Sequence, residues 1–231
     1  MLAFLLIFNT FILLGFLTSE MAGNVVHETI RVNLTRVIDG DTIDSDYGRV
    51  RLLGINTPEK NQPYYEQARE FLKQYERKIV EMEERGQDKY DRVLGYIYYQ
   101  EKLINSEILG NGLANLYVYD KDEHYSELKQ AEEEARDNGR GIWKKSRNYG
   151  CVEVVEFEPI DKTEKDKEKL ILRNSCSISL SIIIKDDANH IYNEKILPGS
   201  VLSMDFQNIF NDDGDSLIIR DSSGLLLFYR Y

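Results

Sequence analysis

The feature that most constrains this chain is a succession of short β-type runs, each stopped by a turn signal, with a few helix-period segments between them. Val37 and Ile38 run into the turn-like Asp39-Gly40-Asp41, and Tyr47-Gly48 is a second turn, so residues 36–44 and 49–55 read as a hairpin. In its second arm the side chains alternate. Val50 and Leu52 share one face, and Arg49, Arg51 and Leu53 share the other. Asn56-Thr57-Pro58 then ends the strand, because proline has no N–H to give a ladder. Residues 78–82 and 94–99 read as further strands, the second with alternating aromatics. Helical spacing begins at Pro63, where Tyr64, Ala68, Phe71, Leu72 and Tyr75 form one stripe. It recurs over 104–109 and over 123–137, where Leu128, Ala131 and Ala135 mark the inner face of an otherwise charged helix. Asn138-Gly139 closes that helix, Gly86-Gln87-Asp88-Lys89 reads as a polar turn, and Trp143 reads as core.

Near residue 150 the pattern changes. After a charge run at 161–169 come closely spaced β-branched runs split by Asn, Asp, Gly and Pro, the pattern of an all-β, immunoglobulin-like sandwich. The chain therefore reads as an α+β portion, 28–148, and an all-β portion, 151–231. Apolar residues make up 42% of the 231 and charged residues 30%, which supports a packed core and excludes a disordered polyelectrolyte. A net charge of −11 argues against coating nucleic acid through overall charge. The acidity of the second portion disfavours direct nucleic-acid binding there. Residues 2–18 carry no charge, so residues 1–23 read as a signal peptide or an uncleaved membrane anchor. Either puts the remainder outside the cytoplasm. Two cysteines exclude a disulfide-rich scaffold. Cys151 and Cys176 either pair in an oxidising compartment or stay as two buried thiols.

Three segments carry chemistry: Ile38-Asp39-Gly40-Asp41-Thr42, then Arg51-Leu52-Leu53-Gly54-Ile55-Asn56-Thr57-Pro58-Glu59, then Asp88-Lys89-Tyr90-Asp91-Arg92. Asp41, the Asn56 side-chain oxygen and the Thr57 carbonyl are hard donors that suit Ca²⁺. Arg51 and Arg92 offer planar forks that match phosphate oxygens. Glu59 can orient or deprotonate a water. Phosphodiester hydrolysis needs this set of parts: a cation, guanidiniums for the developing charge, and a base. Taken singly, each has an ordinary reading as a turn, a surface charge or a salt-bridge partner. Tyr117 and Tyr119 read more readily as barrel packing than as base platforms, and His124 as a helix-packing histidine rather than a ligand.

In their order and spacing the three segments resemble the thermonuclease (staphylococcal nuclease) family, as do Leu113 to Tyr119 and Gly141-Ile142-Trp143. The resemblance implies a five-stranded OB-fold barrel with three helices, and Ca²⁺-dependent cleavage of DNA and RNA. It implies Asp41, Asn56 and Thr57 as metal ligands and Arg51, Glu59 and Arg92 as catalytic residues. It places Lys89, Tyr90, Tyr117 and Tyr119 against the nucleotide, where stacked aromatics suit a single-stranded or frayed substrate. Asn56 departs from an aspartate ligand: the oxygen is kept and the charge lost. The expected consequence is weaker Ca²⁺ binding or another divalent ion, with Asn56→Asp tightening it. The hairpin between Asp41 and Arg51 is shortened by an even number of residues, which leaves Arg51 on the same face. The second portion resembles a lamin-tail-type domain through Lys169-Leu170-Ile171-Leu172-Arg173-Asn174, Leu197-Pro198-Gly199 and residues 211–221. That implies binding or positioning, with an envelope or protein partner. The alternative for the whole chain is a non-catalytic nucleic-acid or protein-binding module of the same fold, tethered to the envelope.

Overall fold

The computed structural model describes residues 28–118, 120–159, 167–207, 209–210 and 214–231. The N-terminal apolar segment, residues 1–23, lies outside them. Among the described residues no helix is long and apolar enough to cross a membrane.

The first portion contains β1 (Ile30–Val37), β2 (Thr42–Ser45), β3 (Arg49–Leu52), β4 (Gly54–Asn56), α1 (Tyr65–Lys73), β5 (Ile79–Gln87), β6 (Val93–Tyr99), β7 (Lys102–Leu103), α2 (Ile104–Gly110), β8 (Asn115–Tyr117), α3 (Tyr125–Asp137) and a 3₁₀ turn at Gly141–Trp143. Strand β1 lies antiparallel between β2 and β5, β2 pairs β3, and β5 pairs β6. A parallel β3–β6 pairing closes these strands into a five-stranded barrel, the OB-type fold expected from the resemblance. Closure gives each of the five strands two neighbours. The alternation in β3 works as read, with Val50 and Leu52 buried in the core. The three helices cap that core with Ala68, Leu72, Ile108 and Leu128.

Two boundaries differ from the sequence reading. Residues 36–44 are not one strand: Ile38 N and Asp39 N both donate to the Thr42 carbonyl, making a tight turn between β1 and β2. The next strand ends at Leu52, because Gly54 sits at φ 75° and swings the chain into a separate ribbon with β8. A Cβ at Gly54 would meet Leu128 Cδ1 at 2.3 Å, so both the backbone angle and the packing require glycine. The turn expected at Gly86 begins later. Strand β5 continues through Gln87 across a register shift, and the reversal is made by residues 88–92.

Among the described residues the second portion is a seven-stranded sandwich of β9 (Val152–Glu158), β10 (Glu168–Asn174), β11 (Leu180–Lys185), β12 (Ile191–Ile196), β13 (Val201–Phe206), β14 (Ser216–Asp221) and β15 (Gly224–Arg230). One sheet has the order β13-β10-β9 and the other β12-β11-β14-β15. Leu170, Leu172, Ile182, Ile184, Leu217 and Ile219 alternate inward from the two faces. Cys151 and Cys176 form a disulfide. The bridge closes a loop of 25 residues, which stabilises by about 3.5 kcal/mol in the chain-entropy model.

The two portions pack directly on each other. Ala135, Ile142 and Trp143 share an apolar cluster with Ile218 and Leu225, and the Phe228 ring meets Trp143 edge-on at 5.2 Å. Beside it, Glu132 of α3 is fully buried and accepts from Leu116 N at 2.8 Å. It pairs with Arg136 at 3.3 Å and with Arg230 of β15, which also reaches Asp187 at 3.3 Å.

Candidate functional site

Register builds the site. Thr42 pairs with Arg51 across the β2–β3 ladder, and Leu52 N donates to the Asp41 carbonyl at 2.9 Å. Asp41 and Arg51 are thereby neighbours, with the guanidinium Nη2 3.4 Å from the carboxylate. Arg51 Nη1 also donates to the Leu52 carbonyl at 2.6 Å, which fixes the fork. Asp41 Oδ2 accepts from Thr57 N and Thr57 Oγ1, each at 3.0 Å, so the turn after β4 is drawn against it. Gly40 permits this approach, since a Cβ there would lie 2.7 Å from both Thr57 Oγ1 and Ala68 Cβ.

The parallel β3–β6 pairing brings in the third segment. Arg51 is opposite Leu94, and two-residue alternation puts Arg92 on the same face as Leu94. Arg92 is thus a diagonal neighbour of Arg51. Its Nε donates to Asp88 Oδ2 at 2.7 Å and its backbone N to Asp88 Oδ1 at 3.0 Å. Burial pushes the Asp88 carboxyl up, but these bonds outweigh burial and hold it below its ordinary value. Tyr90 is 67% exposed, with Lys89 Nζ 5.1 Å and Arg92 5.5 Å from its ring centre. Asp39 is shifted the other way: burial first, then the charge of Asp41, raise it.

These residues line one open cleft of about 1140 Å³: Asp41, Arg51, Asn56, Glu59, Lys89, Tyr90, Arg92 and Tyr117. Thr57 stands behind Asp41. Glu59 is exposed at the cleft, with its backbone N anchored to Gln62 Oε1 at 2.9 Å. Tyr117 faces the cleft half-buried, paired with Gly54 across the β4–β8 ribbon. Tyr119 lies outside the described residues. His124 is buried, its ring tilted 51° to that of Tyr96 at 4.0 Å between centres and 3.0 Å from the Glu83 carboxylate, which agrees with its packing role. Glu83, Glu123 and His124 bring their ligand atoms within 4.8 Å of one another, and Arg85 is ion-paired to both glutamates.

Sequence reasoning missed one wall of this cleft. Ala188, Asn189 and His190 of the second portion line it too. They are held there by Asn56, whose Nδ2 lies 2.9 Å from the Asp187 carbonyl, 2.8 Å from the Ala188 carbonyl and 3.2 Å from Asn189 Oδ1. Three acceptors around one atom demand a donor, so an aspartate could not stand there without facing oxygens. Asn115 Nδ2 adds a bond to the Asp187 carbonyl at 2.8 Å. Lys185 Nζ donates to Asn115 Oδ1 at 3.3 Å and to the Asp186 carbonyl at 3.1 Å. Burial pulls the Lys185 ammonium down, against the fields of Asp186, Asp187, Asp215 and Glu59. Burial also pushes the Asp187 carboxyl up to about 7, despite Arg230. The only sequence signal for this wall was polar: Lys185-Asp186-Asp187-Ala188-Asn189-His190 follows a strand of isoleucines, which reads as an ordinary turn.

The family model for staphylococcal nuclease homologues matches residues 49–145. The thermonuclease of Staphylococcus intermedius is 36% identical over 124 residues, covering 48% of this chain and 74% of that protein. The thermonuclease of Staphylococcus hyicus is 31% identical over 134 residues, 52% of this chain and 78% of that protein. The SPbeta prophage-derived endonuclease YokF of Bacillus subtilis is 36% identical over 147 residues, 54% and 50% of the two chains. With the closed barrel and its three helices, these matches establish that the chain belongs to the staphylococcal nuclease family.

Proposed function

We propose that this chain is a calcium-dependent nuclease that hydrolyses phosphodiester bonds of DNA and RNA outside the cytoplasm. The observation that carries this reading is the meeting of Arg51, Arg92 and an exposed Glu59 in one cleft with the oxygen donors of Asp41 and Asn56. The donor set fits a hard divalent cation. The Asp41 carboxylate and the Thr57 turn adjoin, and an Asn56 amide that gives its nitrogen to the loop keeps its oxygen for a ligand. Asp41, Asn56 and the Thr57 carbonyl would hold the ion, which supplies Lewis-acid stabilisation of a phosphoryl oxygen when bound.

The chain's own residues then divide the work. Glu59 takes the proton of the attacking water. Arg51 and Arg92, each locked by a carboxylate, present preorganised donors to the oxygens on which charge develops. Tyr90 and Tyr117 offer faces on which bases of a single strand stack, and Lys89 neutralises a phosphate. Residues 1–23 would deliver or tether the enzyme beyond the cytoplasm, and the disulfide agrees with an oxidising compartment. The sandwich would add an envelope or protein contact on its outer face.

Incubating the full chain with plasmid or RNA tests the reading. Cleavage in Ca²⁺ that stops with EDTA supports it. Inertness in every divalent ion, with nucleic acid still bound, supports the binding module instead, which the loop seated on Asn56 favours. Asn56→Asp isolates the ligand role. It is expected to tighten Ca²⁺ by calorimetry and to lower folding stability by about 1–3 kcal/mol, because carbonyls that had a donor lose it. Unchanged affinity and unchanged stability together would contradict both roles of Asn56.

A further inference from the structure

We propose that the loop joining β11 to β12 is a working wall of this cleft and that His190 contacts the nucleic-acid chain there, donating to a phosphate beside the one that is cleaved. The inference rests on the nuclease reading above and adds to it a substrate-binding residue supplied by the second portion.

Three observations lead to His190. First, it shares the cleft with Arg51, Glu59 and Arg92, although it belongs to the other fold unit. Second, its loop is held from beneath: Asn56 and Asn115 donate to its carbonyls, Asp187 N donates to Asp215 Oδ1 at 2.9 Å, and Ser216 Oγ donates to Asp187 Oδ2 at 3.1 Å. A turn of no consequence would not consume four side chains from three other segments. Third, the imidazole is aimed. Asp186, only 2% exposed, accepts from His190 N at 3.1 Å and sits 2.6 Å from its Nδ1.

A buried carboxylate spent on one ring nitrogen fixes the ring's orientation. Here it does so for a ring whose side chain is 48% exposed at the lip of a cleft. With Nδ1 engaged by Asp186, Nε2 is the ring atom left for a ligand, and a phosphate oxygen there would accept from an Nε2–H. The loop is not purely acidic where it meets the cleft: the buried Lys185 lies beneath it, among Asp186, Asp187, Asp215 and Glu59. The polynucleotide would run between Lys89 and Tyr90 on the barrel side and His190 on the sandwich side.

The test uses the full chain and two substrates, a single-stranded oligothymidylate and a thymidine dinucleotide too short to reach the second phosphate. His190→Ala should raise KM for the oligothymidylate about tenfold, the size of one charge-assisted hydrogen bond, with kcat and the dinucleotide KM unchanged. His190→Lys, which restores a cation, should recover most of that loss. Oligothymidylate KM unchanged in His190→Ala, or an equal rise for both substrates, overturns the proposal. If the wild-type chain cleaves nothing, the nuclease reading has failed separately. Fluorescence anisotropy of labelled oligothymidylate then reads His190 alone, and an unchanged Kd in His190→Ala overturns its role.

Discussion

Glu59→Gln is expected to lower the rate of phosphodiester cleavage by about 10²–10⁴ while leaving the thermal midpoint where it was. Glu59 is exposed, and its anchoring bonds to Gln62 are made by its backbone N–H and carbonyl, so the amide leaves them in place. Arg51→Ala should cost about 10²–10³ in kcat. It is a less clean substitution, because the Arg51 side chain is 13% exposed and pairs with the equally buried Asp41. Removing it leaves a carboxylate short of a partner and destabilises by about 1–3 kcal/mol. Arg51→Lys separates the two effects. It keeps a cation beside Asp41 but loses the fork that binds two phosphate oxygens at once, so stability should return while activity does not. Single-turnover cleavage of a labelled oligonucleotide, alongside denaturant unfolding, measures both. A Glu59→Gln enzyme within a few-fold of wild type would remove the base from the mechanism.

Arg230→Ala should destabilise the chain by about 3 kcal/mol, the low end of the usual penalty for breaking a buried ion pair. Its guanidinium meets Glu132, which has no exposed surface, and Asp187. Arg136 remains 3.3 Å from Glu132 and keeps the loss at that lower end. The penalty comes from the carboxylates left behind, so removing charge on both sides should relieve it. Arg230→Met combined with Glu132→Gln, which retains an acceptor for Leu116 N, should unfold at a higher urea concentration than Arg230→Ala alone. Should Arg230→Ala shift stability by less than about 1 kcal/mol, the network would be one that water can solvate. Because Asp187 lies in the loop over the cleft, the same variant should also weaken oligothymidylate binding, a link that a sandwich hung independently from the barrel would not show.

The strand alternation, several turns and the candidate site side chains were legible in the sequence because they are local patterns, whereas the five-stranded barrel came from the resemblance. Val50 and Leu52 alternate with Arg51, so the arginine faces out of the core whatever the rest of the chain does. Asn56-Thr57-Pro58 had to end a strand, whereas the turn read at Gly86-Gln87-Asp88-Lys89 is made later, by residues 88–92. The convergence of the segments follows from strand order, which the resemblance supplied and the β3–β6 pairing realises. Strand ends were less legible. Gly54 reads as one residue of a continuous arm, and only the packing of Leu128 on its bare Cα shows why the chain leaves the barrel there.

The sequence by itself determined the periodicities, the turn chemistry, and the residue types able to hold an ion, grip a phosphate and activate water. Only the tertiary structure decided what lies opposite them. Glu132 reads as one more acid on a charged helix, yet it is buried against an arginine 98 positions later. Asn56 reads as an aspartate that lost its charge, yet its nitrogen is what seats a loop from the other portion, 131 positions away. The reason is physical. Periodicity records which face of an element is apolar, whereas a buried polar group is defined by the partner that satisfies it, and that partner can come from anywhere in the chain.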